Sequence, residues 1–129
     1  MNDRFLLDTN VVIQVLKGAP QAEARLAAML EVFLPVVAAA ELLYGAEKSA
    51  RRSEQLEKVN QFLLQIRILP CSLDVARTYA RINHSLRALG KPIPQNDMWI
   101  AAIAIAHGLT LITTDRHFEE IEGLSLGAW

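Results

Sequence analysis

Apolar residues in this chain follow two patterns. Short continuous runs mark strands buried on both faces of a sheet, and apolar positions three and four apart mark helices with one buried face. Phe5-Leu6-Leu7 is the first such run, and the Asp8-Thr9-Asn10 that follows suits a turn or a helix N-cap. Val11 to Lys17 then predicts a helix closed by Gly18, and the Ala-, Glu- and Leu-rich stretch from Gln21 to Leu30 predicts a second. Val32 to Val37 reads as a second strand that contains a proline. A helix from Ala38 to Lys48 follows, with Glu41 in its opening turns. Leu56, Val59, Phe62 or Leu63, and Ile66 place a helical stripe on Arg51 to Ile66. Ile68-Leu69 is a short strand ended by Pro70. Ser72 caps a helix with the apolar face Val75, Tyr79, Ile82, Leu86 and Leu89, which Gly90 ends. Lys91-Pro92-Ile93-Pro94 is extended, because proline disfavours helix in the residue before it. Asn96 and Asp97 open an apolar helix that ends at His107. Leu109 to Thr113 is a strand, Asp115 to Ile121 a short helix or turn, and Leu124 to Leu126 an edge strand.

Strands alternating with helices predict an α/β fold, a three-layer sandwich in which helices flank a parallel central sheet of four to five strands. Ligands of such sheets bind beyond the carboxyl ends of the strands. The 129 residues suit one domain, 1–129. Hydrophobic residues at 52% and charged ones at 21% exclude a disordered chain. A formal net charge of −1 excludes a global basic field, so any contact with nucleic acid must come from local patches or from metal ions. The lone Cys71 cannot close an internal disulfide. The Phe5–Leu7 run is too short for a signal peptide, and His107-Gly108 interrupts the uncharged stretch from Met98 to Thr114. No membrane segment is expected, and the expected location is the cytoplasm.

Four carboxylates fall where such a sheet places its crevice. Asp8 directly follows the first strand, Glu41 lies just beyond the second, Asp97 starts a helix, and Asp115 follows Ile112-Thr113-Thr114. An aspartate after a strand is often only a helix cap. Glu41, however, is flanked by Ala38-Ala39-Ala40 and Leu42-Leu43, and Asp97 by Met98-Trp99-Ile100, which are costly settings for an unpaired charge. Four converging acids repel one another unless a cation compensates, and an all-oxygen donor set suits Mg²⁺ or Mn²⁺. The expected chemistry is hydrolysis of a phosphate ester by metal-activated water.

Nearly the whole chain resembles the PIN-domain ribonucleases and, among them, the VapC-type toxins of bacterial and archaeal toxin–antitoxin pairs. Leu6-Leu7-Asp8-Thr9-Asn10 is similar to the family's first acidic motif, and Ala40-Glu41-Leu42-Leu43-Tyr44-Gly45-Ala46 to its second. Asn96-Asp97-Met98-Trp99-Ile100-Ala101-Ala102 is similar to the third, and Leu111-Ile112-Thr113-Thr114-Asp115 to the fourth. The resemblance implies a PIN-like fold and a metal-dependent endoribonuclease whose single-stranded RNA target is often a tRNA. It makes Asp8, Glu41, Asp97 and Asp115 the acidic quartet, with Asp8 and Asp97 the most direct ligands of Mg²⁺ or Mn²⁺. Thr9 and Asn10 match positions that orient the first acid or a metal-bound water, and Thr113 matches the polar residue before the fourth acid. The resemblance also implies a cognate antitoxin and a homodimer. Two features depart from it: Pro94-Gln95 stands where many relatives have a glycine-containing turn, and Asp115 occupies a position that varies between Asp and Asn.

Arg77, Arg81, His84, Arg87 and Lys91 fall at steps of four, three, three and four, a cationic stripe opposite the apolar Val75–Leu89 face. The functional reading is an RNA backbone track leading toward Asp97, and the structural one is a solvated helix face. His84, His107 and His117 lack metal-ligand spacing with Cys71, which argues against zinc. Trp99 reads as core rather than as a base-stacking platform. Two other functional classes fit the sequence less well. An aspartyl-nucleophile phosphatase requires a second aspartate two residues after Asp8, where Asn10 stands. A catalytically silent interaction module would have lost an acid, and none is missing.

Overall fold

The structure, a computed structural model, describes residues 3–129; Met1 and Asn2 lie outside the described residues. Five strands form one parallel sheet: β1 (Arg4–Leu7), β2 (Glu31–Pro35), β3 (Arg67–Leu69), β4 (Thr110–Ile112) and β5 (Ser125–Gly127), in the order β3-β2-β1-β4-β5. The helices are α1 (Thr9–Leu16), α2 (Pro20–Ala27), α3 (Val36–Glu47), α4 (Arg52–Leu63), α5 (Leu73–Ala88) and α6 (Gln95–His107), with a 3₁₀ turn at Arg116–Glu120.

Alternation along the central strands divides the core in two. Leu6 pairs in register with Phe33 and Leu111, and all three face a cluster with Val75, Ile82 and Leu86 of α5, Ile100–Ala104 of α6, and Phe118. Leu7, Leu34 and Ile112 face the opposite cluster, built on Val11 and Val12 of α1, Ala38, Ala39 and Leu42 of α3, and Val59 of α4. Leu6 and Leu7 are both fully buried, as a central parallel strand covered on both faces requires. At about 25 cal/mol per Å² of apolar surface, each such leucine contributes roughly 1.5–3 kcal/mol, so β1 is a firm mount for the residue that follows it.

The element boundaries follow local chemistry, and they differ from the sequence reading in several places: α2 ends at Ala27 rather than Leu30 and α4 at Leu63 rather than Ile66, and three further differences bear on the site or the core. β2 ends at Pro35, which sits at the N-cap of α3, so Val36 and Val37 are helical rather than extended. Proline's missing N–H suits a strand end that becomes a helix start. Leu89 is the C-cap of α5 and is 67% exposed, outside the apolar face predicted for it. α6 opens at Gln95 with Pro94 at its N-cap, so Asp97 lies in the first turn and does not cap the helix. Gly108, with φ +64, reverses the chain so that only two residues separate α6 from β4.

The strand order positions the site. From β1 the chain moves outward to β2 and β3, and from β4 it moves outward to β5 on the other side. The loops leaving the carboxyl ends of β1 and β4 therefore diverge, which leaves a crevice between two adjacent strands. Asp8 stands at one of these ends, and Thr113, Thr114 and Asp115 at the other.

Candidate active site

Asp8 is 4% exposed and N-caps α1; its Oδ1 accepts a hydrogen bond from the Thr9 backbone N–H at 2.8 Å. Its Oδ2 accepts from the Thr113 hydroxyl at 2.7 Å. The same hydroxyl oxygen accepts from the Asp115 N–H at 2.9 Å, so its proton is committed to Asp8. The Thr9 hydroxyl donates to Glu41 Oε1 at 2.8 Å, joining α1 to α3. Asp115 N-caps the 3₁₀ turn by accepting from the His117 N–H at 2.9 Å. His117 Nδ1 then lies 3.2 Å from Asp115 Oδ1 and 3.3 Å from Asp97 Oδ2. A single network thus runs from Glu41 through Thr9, Asp8, Thr113, Asp115 and His117 to Asp97. Its members lie in or directly beside α3, α1, β4, the 3₁₀ turn and α6.

The four predicted acids are brought together. Asn10 lies beside them, exposed on the first turn of α1, with no hydrogen bond to the acids among the described residues. Sequence reasoning passed over His117 because its only test for a metal-binding histidine was spacing to Cys71. The missed signal was its place two residues beyond an aspartate that caps a turn.

The electrostatics show crowding. Burial pushes the Asp8 carboxyl above its ordinary value. Hydrogen bonds from Thr113 and the Thr9 N–H oppose the shift, and the Asp115 and Glu41 charges reinforce it. Asp97 is raised in the same way, first by burial. The His117 hydrogen bond opposes its shift, the Asp115 and Asp8 charges add to it, and the His117 charge opposes it again. Each Asp8 oxygen accepts one hydrogen bond and keeps lone-pair capacity, as does Asp97, which is not used as a cap. Crowded carboxylates with free lone pairs fit a hard divalent cation, which would supply the missing positive charge.

The surroundings divide into two groups. Beside Glu41 a groove of about 430 Å³ opens between α3 and α6, lined by Val37, Tyr44, Asn96 and Trp99 among others. Tyr44 is 66% exposed, whereas Trp99 stacks on Tyr79 with ring centroids 4.0 Å apart and packs against the core, as the sequence reading expected. On α5, Arg77, Arg81, His84 and Arg87 are exposed along one side of the helix. Arg81 donates to the Thr78 hydroxyl and Arg87 to Asn83 Oδ1. Lys91 is engaged by Glu120, with Nζ and Oε2 3.1 Å apart.

An open parallel sheet with acids gathered at its switch point defines the class: an α/β protein with an acidic cluster at the carboxyl edge of the sheet. The PIN domain family model matches residues 5–124, and the chain belongs to that family. Ribonuclease VapC2 of Haemophilus influenzae is 33% identical over 98% of both chains. The tRNA(fMet)-specific endonuclease VapC of Shigella flexneri is 32% identical over 98% of both. Among solved structures, DNA-bound VapBC from Salmonella typhimurium is similar with a TM-score of 0.93 at 29% identity, over 98% of each chain. VapBC2 from Rickettsia felis, bound to a DNA fragment from its promoter, gives 0.91 at 28% identity, over 97% of this chain and 98% of that one.

Proposed function

We propose that this chain is a Mg²⁺- or Mn²⁺-dependent endoribonuclease, the toxin of a toxin–antitoxin pair, that hydrolyses phosphodiester bonds in RNA. The observation that carries this reading is the meeting of Asp8, Glu41, Asp97 and Asp115 at one edge of the sheet, with two of the four carboxyls raised by burial and by their neighbours' charge. Asp8 and Asp97 would hold the ion most directly, with Glu41 and Asp115 completing the acidic ring. When bound, the ion supplies Lewis acidity toward a phosphoryl oxygen and a nucleophilic water at neutral pH. Thr113 fixes the orientation of the Asp8 carboxylate, and Thr9 fixes Glu41. Asn10, exposed on the first turn of α1, would orient the first acid or a metal-bound water.

The names of the relatives favour a tRNA as substrate and a co-encoded antitoxin as partner. The chain acts as one domain, as a homodimer, in the cytoplasm. Among the described residues no helix is long and apolar enough to cross a membrane. Cleavage mapping on total RNA with purified protein tests the activity directly. Cuts at a restricted set of positions are expected with Mg²⁺ or Mn²⁺ and none after EDTA. Unchanged cleavage in EDTA would remove the metal from the reading, and no cleavage under any metal would remove the activity.

The cationic side of α5 is proposed to contact the RNA backbone through Arg77, Arg81 and Arg87, with Lys91 contributing less while it is paired to Glu120. Replacing both Arg77 and Arg81 by Ala should weaken RNA binding. It should also flatten the dependence of log K on log salt by about 1.4, the release expected for two phosphate contacts on a single strand. An unchanged slope would make the stripe a solvated helix face.

A further inference from the structure

We propose that His117 is a nitrogen ligand of the divalent centre, so that the site is a mixed nitrogen–oxygen one that favours Mn²⁺ over Mg²⁺. The proposal rests on the reading of the acidic site above and deepens it. Its basis is geometric. Nδ1 lies 3.2 Å from Asp115 Oδ1 and 3.3 Å from Asp97 Oδ2, and one donor atom from each of the three residues lies within 4.8 Å of the other two. With metal–ligand bonds of about 2.1 Å, adjacent donors of an octahedron are roughly 3 Å apart and opposite ones roughly 4 Å. Nδ1 therefore already stands at about adjacent-donor spacing from an oxygen of each carboxylate, and small side-chain adjustments would admit an ion among them.

The position of the imidazole is set by the backbone. Asp115 Oδ1 holds the His117 N–H at 2.9 Å, and the next residue, Phe118, is fully buried in the core. A ring placed only for solvation would need neither anchor. His117 is half-exposed, which leaves it room to turn toward an incoming ion.

Chemistry then decides which ion gains. Magnesium takes oxygen ligands and keeps much of its water shell, whereas first-row transition ions accept imidazole nitrogen. One nitrogen donor among carboxylates therefore adds affinity for Mn²⁺ that Mg²⁺ does not share. The competing explanation is that the ring serves only as a counter-charge between Asp97 and Asp115, and it predicts no bond to the ion.

The full chain loaded with Mn²⁺ alone separates the two by pulsed electron paramagnetic resonance. The expected result is a ¹⁴N coupling of imidazole type in the wild type that disappears in His117→Gln. In that variant Mn²⁺ affinity should fall about tenfold or more, since even outer-shell partners of metal ligands cost that much, while Mg²⁺ affinity changes less than twofold. Bound Mn²⁺ with no ¹⁴N coupling would overturn the proposal and leave the acidic site standing, as would equal losses for the two ions in His117→Gln. If wild type and Asp8→Asn alike bind no Mn²⁺ stoichiometrically, both the ligand assignment and the acidic-site reading fail.

Discussion

Asp8→Asn is expected to lower RNA cleavage by about a thousandfold or more, the upper range for loss of one preorganised electrostatic group, and to make the metal-free protein more stable near neutral pH. Asp8 is almost wholly buried at the end of a central strand, with its two oxygens aimed by Thr9 and Thr113. Asparagine keeps the shape and the oxygen that accepts from Thr9 but gives up the charge an ion needs. The stability effect has the opposite sign for a physical reason. Burial and the Asp115 and Glu41 charges raise the Asp8 carboxyl in the folded state, so the native protein holds its proton at pH values where the unfolded chain has released it. The stability contributed by that proton is present at low pH and is lost as pH rises from the ordinary carboxylate range through the raised folded value. Asp97 acts in the same direction. Metal-free wild type should therefore melt at lower temperature near pH 7 than in mild acid, and the asparagine variant should show a shallower slope. Added Mn²⁺ should raise the melting temperature of the wild type by mass action and that of the variant much less. Melting curves across pH, with and without Mn²⁺, would contradict this if the variant were less stable throughout, and comparable cleavage by the variant would end the assignment of Asp8.

Phe118→Ala is expected to cost about 3–5 kcal/mol of folding stability, as removal of a fully buried aromatic ring does, and to weaken Mn²⁺ binding in whatever fraction stays folded. Phe118 is fully buried in the cluster formed by β1, β4, α5 and α6. It belongs to a five-residue 3₁₀ turn, and such turns have too few good hydrogen bonds to hold themselves. The ring is therefore the anchor of the segment that presents Asp115 and His117. Urea titrations with and without Mn²⁺ would measure both effects, and Phe118→Leu should retain most of each. A folded Phe118→Ala protein with wild-type Mn²⁺ affinity would mean that the acids hold the turn and the core does not.

The sequence carried most of the architecture because the signals that specify it are local. Runs such as Phe5–Leu7 and Leu109–Thr113 need burial on both faces, and Gly90 and Gly108 end helices where they are expected to. Ser72 caps α5 as read, accepting from the Val75 N–H. The misreadings were also local. Pro35 divides an apolar run between a strand and a helix, and Leu89 keeps the spacing of its face but falls on the exposed C-cap, one residue past the helix. In both cases the apolar pattern continues past the end of the element that generates it.

By itself, then, the sequence determined a parallel α/β sheet, the order of its elements, and the appearance of an acid after the strands that line a crevice. Only the tertiary structure decided which side chains meet. Thr113 reaches Asp8 across 105 positions, Thr9 reaches Glu41 across 32, and His117 reaches Asp97 across 20. Lys91 is likewise drawn to Glu120 and Trp99 to Tyr79. Capping and periodicity act over one or two turns of chain, whereas these pairings depend on strand register and on how helices seat against the sheet.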